Sequence, residues 1–202
     1  MFIVGLNGSP NKRGNTAFLL DTALKAAEEE GAKTETIFVQ EVLNKLKRPF
    51  CTACETPCQG KCYAGTELET ALEKVAAADG LLVASPVYFG TVSAQLKAFW
   101  DKTRRLRRSR KLLNTVGGAL TSGGARFGGQ ETTLRAIHTM MFVQGMIIVG
   151  DSHEKSPGHH GANAQQPAQD DPNAQKRAAL MAKRMVEVSR ATALLRNAKK
   201  NG

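Results

Sequence analysis

The sequence predicts an α/β protein built on a doubly wound, five-stranded parallel sheet. Short apolar or β-branched runs alternate with helical patterns along the whole chain. One of those runs, Leu81-Leu82-Val83-Ala84-Ser85, has no polar alternation until its end, as in strands buried on both faces. Three of the turns that follow strands are rich in Gly, Ser, Asn or aromatic residues, and in such sheets ligands sit beyond the carboxyl ends of the strands. At 202 residues the chain is long enough to bury a substantial core, and residues 1–202 are expected to form a single domain.

Each element has its own signal. Phe2, Ile3 and Val4 open the first strand; Ala17, Leu20, Leu24 and Ala27 then mark one face of a helix that stops at Gly31. Residues 34–39 are β-branched and read as the second strand. Thr66-Glu67-Leu68-Glu69 has the pattern of a capping box, and Leu68, Ala71, Leu72, Val75 and Ala76 follow as an amphipathic stripe. Asp79-Gly80 ends that helix before the third strand, residues 81–85. A helix beginning near Ser93 presents Leu96, Phe99, Trp100 and Thr103. Residues 115–121 form the fourth strand; Leu134, Ile137 and Met141 lie on a helix ending at Gly145, and residues 146–149 are the fifth strand. Residues 151–172 read as a long irregular loop; the last helix, from about Asn173, carries Met181, Met185, Val188 and Leu195. Right-handed crossovers connect parallel strands of this kind.

The opening turn carries the strongest local chemistry. Between Gly5 and Thr16 it delivers hydroxyl and amide groups to a helix N-terminus, where free N–H groups and the helix dipole favour an anion. Ser9, Asn15 and Thr16 offer side-chain donors, and Lys12 or Arg13 a counter-charge. The turn has neither the G-x-G-x-x-G of a dinucleotide site nor the G-K-[ST] of a triphosphate site. It suits a terminal monophosphate, as on a flavin mononucleotide; the plainer alternative is an ordinary turn in which Asn15 caps the helix.

After the third strand, Pro86 stiffens a turn in which Val87, Tyr88, Phe89 and Gly90 present flat apolar surface and free backbone groups to a ring. After the fourth, Ser122, Gly123, Gly124, Gly128 and Gly129 permit close approach of the backbone to a ligand. Each loop taken singly is equally compatible with a tight turn.

The formal net charge of +10 is local: residues 102–111 hold seven basic groups and no acid, leaving 21 basic against 18 acidic residues elsewhere. Such a run at a helix end complements the dipole and is commonly a solvated face. The remaining readings are docking of an acidic redox partner, binding of a nicotinamide cofactor's phosphate, or nucleic acid. No aromatic residue interleaves with the run, which argues against a single-strand stacking platform. No apolar stretch is long enough for a bilayer and no signal segment is evident, so the expectation is a cytoplasmic protein without membrane association.

Cys51, Cys54, Cys58 and Cys62 are the only cysteines and lie in one short stretch. Such clustering in a cytoplasmic chain favours metal over disulfides. Four closely spaced thiolates suit a [4Fe-4S] cubane; structural zinc, which prefers two pairs with a longer spacer, is the alternative, and free or redox-active thiols remain open. His153, His159 and His160 with Asp151, Asp170 and Asp171 admit a second metal site, but the surrounding Gly, Pro, Asn and Gln favour a plain loop.

Taken together, Gly5-Leu6-Asn7-Gly8-Ser9-Pro10 with Gly14-Asn15-Thr16, then Ser85-Pro86-Val87-Tyr88-Phe89-Gly90 with Ser93-Ala94-Gln95-Leu96-Lys97, then Gly123-Gly124 with Gly128-Gly129-Gln130-Glu131, then Gly145-Met146, resemble the NADPH-dependent FMN reductase family of flavodoxin-like proteins. The resemblance covers roughly residues 1–160. It implies a flavodoxin-like fold in which Ser9, Pro10, Lys12, Asn15 and Thr16 hold the FMN phosphate. Residues 86–90 would line the isoalloxazine, and residues 122–129 would close its other side. It also implies a homodimer or homotetramer with flavin sites at subunit interfaces, for which residues 151–172 are available. The position of the cysteines after the second strand, in a loop of residues 47–65, resembles the iron–sulfur flavoprotein branch. The spacing here, C-x2-C-x3-C-x3-C, departs from the C-x2-C-x2-C with a longer final gap that is typical of that branch.

The expected activity is that of a flavin-dependent oxidoreductase passing electrons between cluster, FMN and a small-molecule or protein acceptor, with NAD(P)H or ferredoxin as donor. The cofactors carry such chemistry, so no side chain is assigned as catalytic. The alternatives are an NAD(P)H-dependent FMN or quinone reductase with a zinc-stabilised cysteine loop, and a non-catalytic module using zinc and the basic run.

Overall fold

The computed structural model describes residues 1–154 and 156–197; the remainder of the single expected domain, including residues 198–202, lies outside the described residues. The elements in order are β1 (Phe2–Asn7), α1 (Asn15–Glu29), β2 (Lys33–Phe38), α2 (Val39–Asn44), α3 (Glu67–Ala77), β3 (Gly80–Pro86), α4 (Ala94–Lys102) and α5 (Arg104–Arg108). There follow β4 (Val116–Gly123), α6 (Gln130–Val143), β5 (Ile147–Ile148), β6 (Ala162–Gln165), a 3-10 turn (Ala168–Asp170), α7 (Pro172–Ala191) and α8 (Ala193–Asn197).

The strands pair in the order β2-β1-β3-β4-β5, all parallel, which is the flavodoxin-like order. Every residue of β3 and β4 is buried, because helices cover both faces of the sheet. One apolar layer joins Leu6, Leu81 and Val83 to Leu68, Leu72, Phe99, Leu134 and Met141. The other joins Leu82, Ala84 and Leu120 to Leu20, Leu24, Met181 and Met185 on α1 and α7. Helix α1 stops as expected, with Gly31 at φ +80°.

The structure corrects the sequence expectation in several places. The fifth strand position is split. β5 has only two residues and pairs with Val116 and Gly117, whereas β6 pairs with residues 120–123 of the same strand. Residues 151–172 are therefore not an irregular loop throughout: they supply β6 and the 3-10 turn. Val39 starts a short helix instead of ending β2, so α2 stands between β2 and the cysteine loop.

The capping box at Thr66 does not close. Thr66 Oγ1 donates to the Tyr63 carbonyl, and Glu69 accepts the Gly65 N–H at 2.7 Å instead of that of Thr66. The helix from Ser93 breaks at Thr103, so most of the basic run sits on the separate short helix α5.

Candidate functional site

Strand β1 ends at a buried Asn7, and the chain turns into α1 through a ladder of local hydrogen bonds. Asn7 Oδ1 accepts from the Ser9 N–H (2.9 Å), Ser9 Oγ from the Asn11 N–H (3.1 Å), and Asn11 Oδ1 from the Arg13 N–H (3.0 Å). Gly8 N–H donates to the Ala84 carbonyl at 2.8 Å, seating the turn against β3. A Cβ on Gly8 would lie 2.8 Å from Leu96 Cβ and 2.9 Å from the Ala84 carbonyl oxygen, so only glycine fits there. The residue before α1 is Gly14, which gives the helix no side-chain cap. The first-turn amides of a helix have no acceptor of their own. Asn15 is not the cap; its Oδ1 accepts the Ala168 N–H at 2.7 Å and ties the turn to the 3-10 element after β6.

The other two loops converge on this turn. Thr16 Oγ1 and Ser122 Oγ are 2.8 Å apart, joining the first loop to the third. Val87 N–H donates to the Ser122 carbonyl at 2.9 Å, joining the second to the third. Tyr88-Phe89-Gly90-Thr91 closes as a two-residue turn with reciprocal Tyr88–Thr91 backbone bonds and positive φ at Phe89 (+49°) and Gly90 (+75°). A bulky residue held at positive φ costs conformational energy, and here it leaves Phe89 fully exposed beside the exposed Tyr88. Gly129, at φ +100°, lets the third loop approach the second; a Cβ there would be 2.8 Å from Gly90 Cα. Gln130 braces the third loop from within, accepting from Gly128 N–H (2.9 Å) and donating to the Ala125 carbonyl (2.6 Å). Gly123 packs against that amide, Gly124 faces open space, and Pro86 ends the buried strand β3.

The residues present suit a flavin mononucleotide. The α1 N-terminus lacks a side-chain cap, and Asn7 Nδ2 is buried with no hydrogen-bond partner immediately behind the turn. Ser9 and Pro10 lie in the turn, and Ser9 keeps its hydroxyl proton to donate. Lys12 is placed differently from expectation: its ammonium pairs with Glu41 and stands 5.4 Å above the Phe38 ring. A cavity of about 320 Å³ lined by Asn7, Lys12, Arg13 and Phe38 flanks the first loop. Another of about 580 Å³, lined by Phe127, Gly129, Gln130 and Asn163, lies under the third.

The cysteine loop hangs on a buried Tyr63, whose phenol is pushed up first by burial and then by the neighbouring Cys58. Cys51 and Cys58 are half-buried, Cys54 and Cys62 exposed, and none forms a disulfide. Cys51 Sγ accepts the Ala53 N–H at 3.4 Å, and Lys102 Nζ lies 3.5 Å from Cys62 Sγ. Among the described residues no three His, Cys, Asp or Glu side chains are gathered as for a metal ion. By donor chemistry the set nonetheless suits an anionic iron–sulfur centre: four unpaired thiols, with an N–H and an ammonium directed at two of the sulfurs.

Among the His and Asp residues of 151–171, the carboxylates of Asp151 and Asp171 have structural partners. Asp151 is fully buried, accepts the His159 N–H and pairs with Arg177 at 2.5 Å; Asp171 caps α7 by accepting the Ala174 N–H at 2.9 Å. His153 bridges to Ser156 through the backbone.

Asn7, Lys102 and Tyr63, which stand in or beside the candidate site, were given no role from the sequence. Asn7 falls in the opening turn, where Ser9, Asn15 and Thr16 drew the attention, and Lys102 lies inside a run of charges. Tyr63 had a signal, an aromatic directly after the last cysteine.

A sheet of order 2-1-3-4-5, with an uncapped helix N-terminus after β1 and two further loops bonded over it at the β1/β3 switch point, defines a flavodoxin-like nucleotide-binding protein. Residues 1–157 match the NADPH-dependent FMN reductase family, and the chain belongs to that family, a flavin-dependent oxidoreductase. It is 42% identical over 163 residues to an iron–sulfur flavoprotein of Methanocaldococcus jannaschii, covering 80% of this chain and 81% of that one. It is 39% identical over 191 residues to an iron–sulfur flavoprotein of Methanosarcina thermophila, covering 93% and 95%. Among solved structures, RosB with a bound 8-demethyl-8-formylriboflavin-5'-phosphate intermediate shares the fold at TM-score 0.76 and 17% identity, over 97% of this chain and 81% of that one. A WrbA-like flavodoxin from Agrobacterium tumefaciens does so at TM-score 0.66 and 20% identity, over 94% and 97%. No helix among the described residues is long and apolar enough to cross a membrane.

Proposed function

We propose that this chain relays electrons between a [4Fe-4S] cluster on Cys51, Cys54, Cys58 and Cys62, FMN on the three loops, and an external acceptor. The observation that carries this reading is that one helix serves both regions. At its N-terminus α4 is capped by Ser93, which also bonds the Gly8 carbonyl of the flavin turn at 2.6 Å; at its C-terminus Lys102 reaches Cys62. Nine residues of α-helix span about 13 Å, so the two regions are held at a short, fixed separation.

FMN supplies the exchange between two-electron and one-electron chemistry, and the chain supplies its position. Ser9, Thr16 and the free amides at the start of α1 would hold the phosphate. Residues 86–90 and 122–129 would line the two sides of the ring. Phe89 and Phe127, 108% and 91% exposed on those loops, favour a second copy covering the flavin mouth in a homodimer or homotetramer.

The basic run favours an acidic one-electron donor of ferredoxin type over nicotinamide. Arg104, Arg107, Arg108 and Arg110 line a cavity of about 610 Å³ together with Cys58 and no carboxylate. That cavity adjoins the cysteine loop, at the opposite end of α4 from the flavin turn, so it lies where a cluster would receive an electron. A steered encounter of this kind depends steeply on ionic strength. In anaerobic stopped-flow reduction by ferredoxin, Arg107→Glu with Arg108→Glu is expected to slow the second-order rate about tenfold or more at low salt. Reduction by NADPH alone, insensitive to salt and to these substitutions, contradicts the donor assignment.

The relatives named iron–sulfur flavoprotein support the cluster over zinc. A zinc-stabilised loop on an NAD(P)H-dependent reductase is the second reading, favoured only by the departure of the cysteine spacing from the branch's usual pattern.

A further inference from the structure

Lys102 belongs to the basic run by sequence but not by position. Its side chain is turned inward and only 3% of the residue is exposed, whereas the arginines at 105, 107, 108 and 110 are exposed. Lysine is rarely buried without a paired negative charge, because removing an ammonium from water is costly unless a partner offsets it. Among the described residues no carboxylate pairs with Lys102. Its ammonium has two neighbours: the Arg48 carbonyl at 3.0 Å and Cys62 Sγ at 3.5 Å. Both belong to the cysteine loop.

From this geometry we infer that Lys102 is the built-in counter-charge of the cysteine-bound centre, a positioning residue that favours its reduced state. The inference rests on the cluster reading above. A cluster held by four thiolates is anionic and gains a further negative charge on accepting an electron. A fixed cation that is itself held out of solvent stabilises the more negative state more strongly, which raises the reduction potential. Lys102 also ties the loop down mechanically. It bonds Arg48 before the first cysteine and contacts Cys62, the last, so both ends of the loop are anchored to the helix that seats the flavin turn.

The test compares wild type with Lys102→Gln, which retains a donor for the Arg48 carbonyl but no charge, and with Lys102→Arg, which retains the charge. Each is purified without oxygen; FMN, iron and acid-labile sulfide are measured per chain, and the cluster is titrated potentiometrically with detection by electron paramagnetic resonance. The expected result is full FMN in all three and a cluster in Lys102→Gln about tenfold harder to reduce, which for a one-electron couple is about 59 mV more negative. Lys102→Arg is expected to stay near wild type. Loss of the cluster from Lys102→Gln alone, with FMN and fold retained, also supports the inference. A Lys102→Gln cluster at wild-type content and potential overturns it, as does an equal shift in both variants, which would make the role one of packing. Should Lys102→Gln not fold, Lys102→Met takes its place under the same criteria. Wild type carrying zinc without iron and sulfide refutes the cluster reading itself, a result distinct from an unchanged variant.

Discussion

Ser93 Oγ donates to the Gly8 carbonyl at 2.6 Å while accepting the Leu96 N–H at 3.1 Å, so one hydroxyl both caps α4 and fixes the turn after β1. The Ser93 N–H is in turn held by Ser85 Oγ at 3.0 Å, at the end of β3. All these groups are buried, so Ser93→Ala removes a helix cap and leaves a backbone carbonyl unsatisfied. The expected loss is about 2–3 kcal/mol, read from urea unfolding. Because Gly8 seats the flavin turn, FMN affinity falls in the same variant.

Ser9→Ala combined with Thr16→Ala removes two hydroxyls from the α1 N-terminus without touching the cysteine loop. Hydrogen bonds to a charged phosphate contribute about 1.5–3 kcal/mol each, so FMN affinity of the apoprotein is expected to fall at least about 100-fold. Fluorescence titration measures this, and metal content per chain stays constant. Full flavin occupancy in the double variant would show that the phosphate is held elsewhere.

Asp151 is fully buried, and Arg177 is its only cationic partner among the described residues. Arg177→Met leaves an uncompensated buried carboxylate at Asp151, against α7. The expected cost is about 3–5 kcal/mol, with Asp151→Asn plus Arg177→Met recovering part of it. Equilibrium denaturation of the three variants tests the coupling.

His138, on α6, is held below the ordinary histidine range by burial and by the nearby His160, and its Nε2 has no partner. Its pKa is thus lower folded than unfolded, and below about 6.5 the unfolded chain takes up the proton more readily. Stability should therefore fall as pH drops from neutral through the depressed folded value. His138→Gln should flatten that part of the profile, measured as the urea midpoint between pH 7 and pH 5.

Most of the fold was legible because its signals are local. The apolar run of β3, the Gly31 and Gly145 stops and the α3 stripe all report burial and backbone conformation at their own positions. β6 was not legible: Ala162-Asn163-Ala164-Gln165 has no β-branched residue and becomes a strand only because β5 leaves the edge of β4 after Ile148. The three loops proposed to hold flavin stand out by composition, yet the Thr16–Ser122 and Val87–Ser122 contacts that join them are tertiary. Lys102 was misplaced for a similar reason. Charge runs report solvent on average, and the break at Thr103 that separates Lys102 from the exposed α5 arginines carries no sequence mark beyond the hydroxyl itself.

Cofactor content of the protein prepared without oxygen tests the central claim most directly. The relay requires about one FMN per chain together with about four iron and about four acid-labile sulfide, with a visible spectrum that bleaches on dithionite. About one zinc per chain with no acid-labile sulfide, or a colourless protein that cannot be reconstituted with FMN, would contradict it.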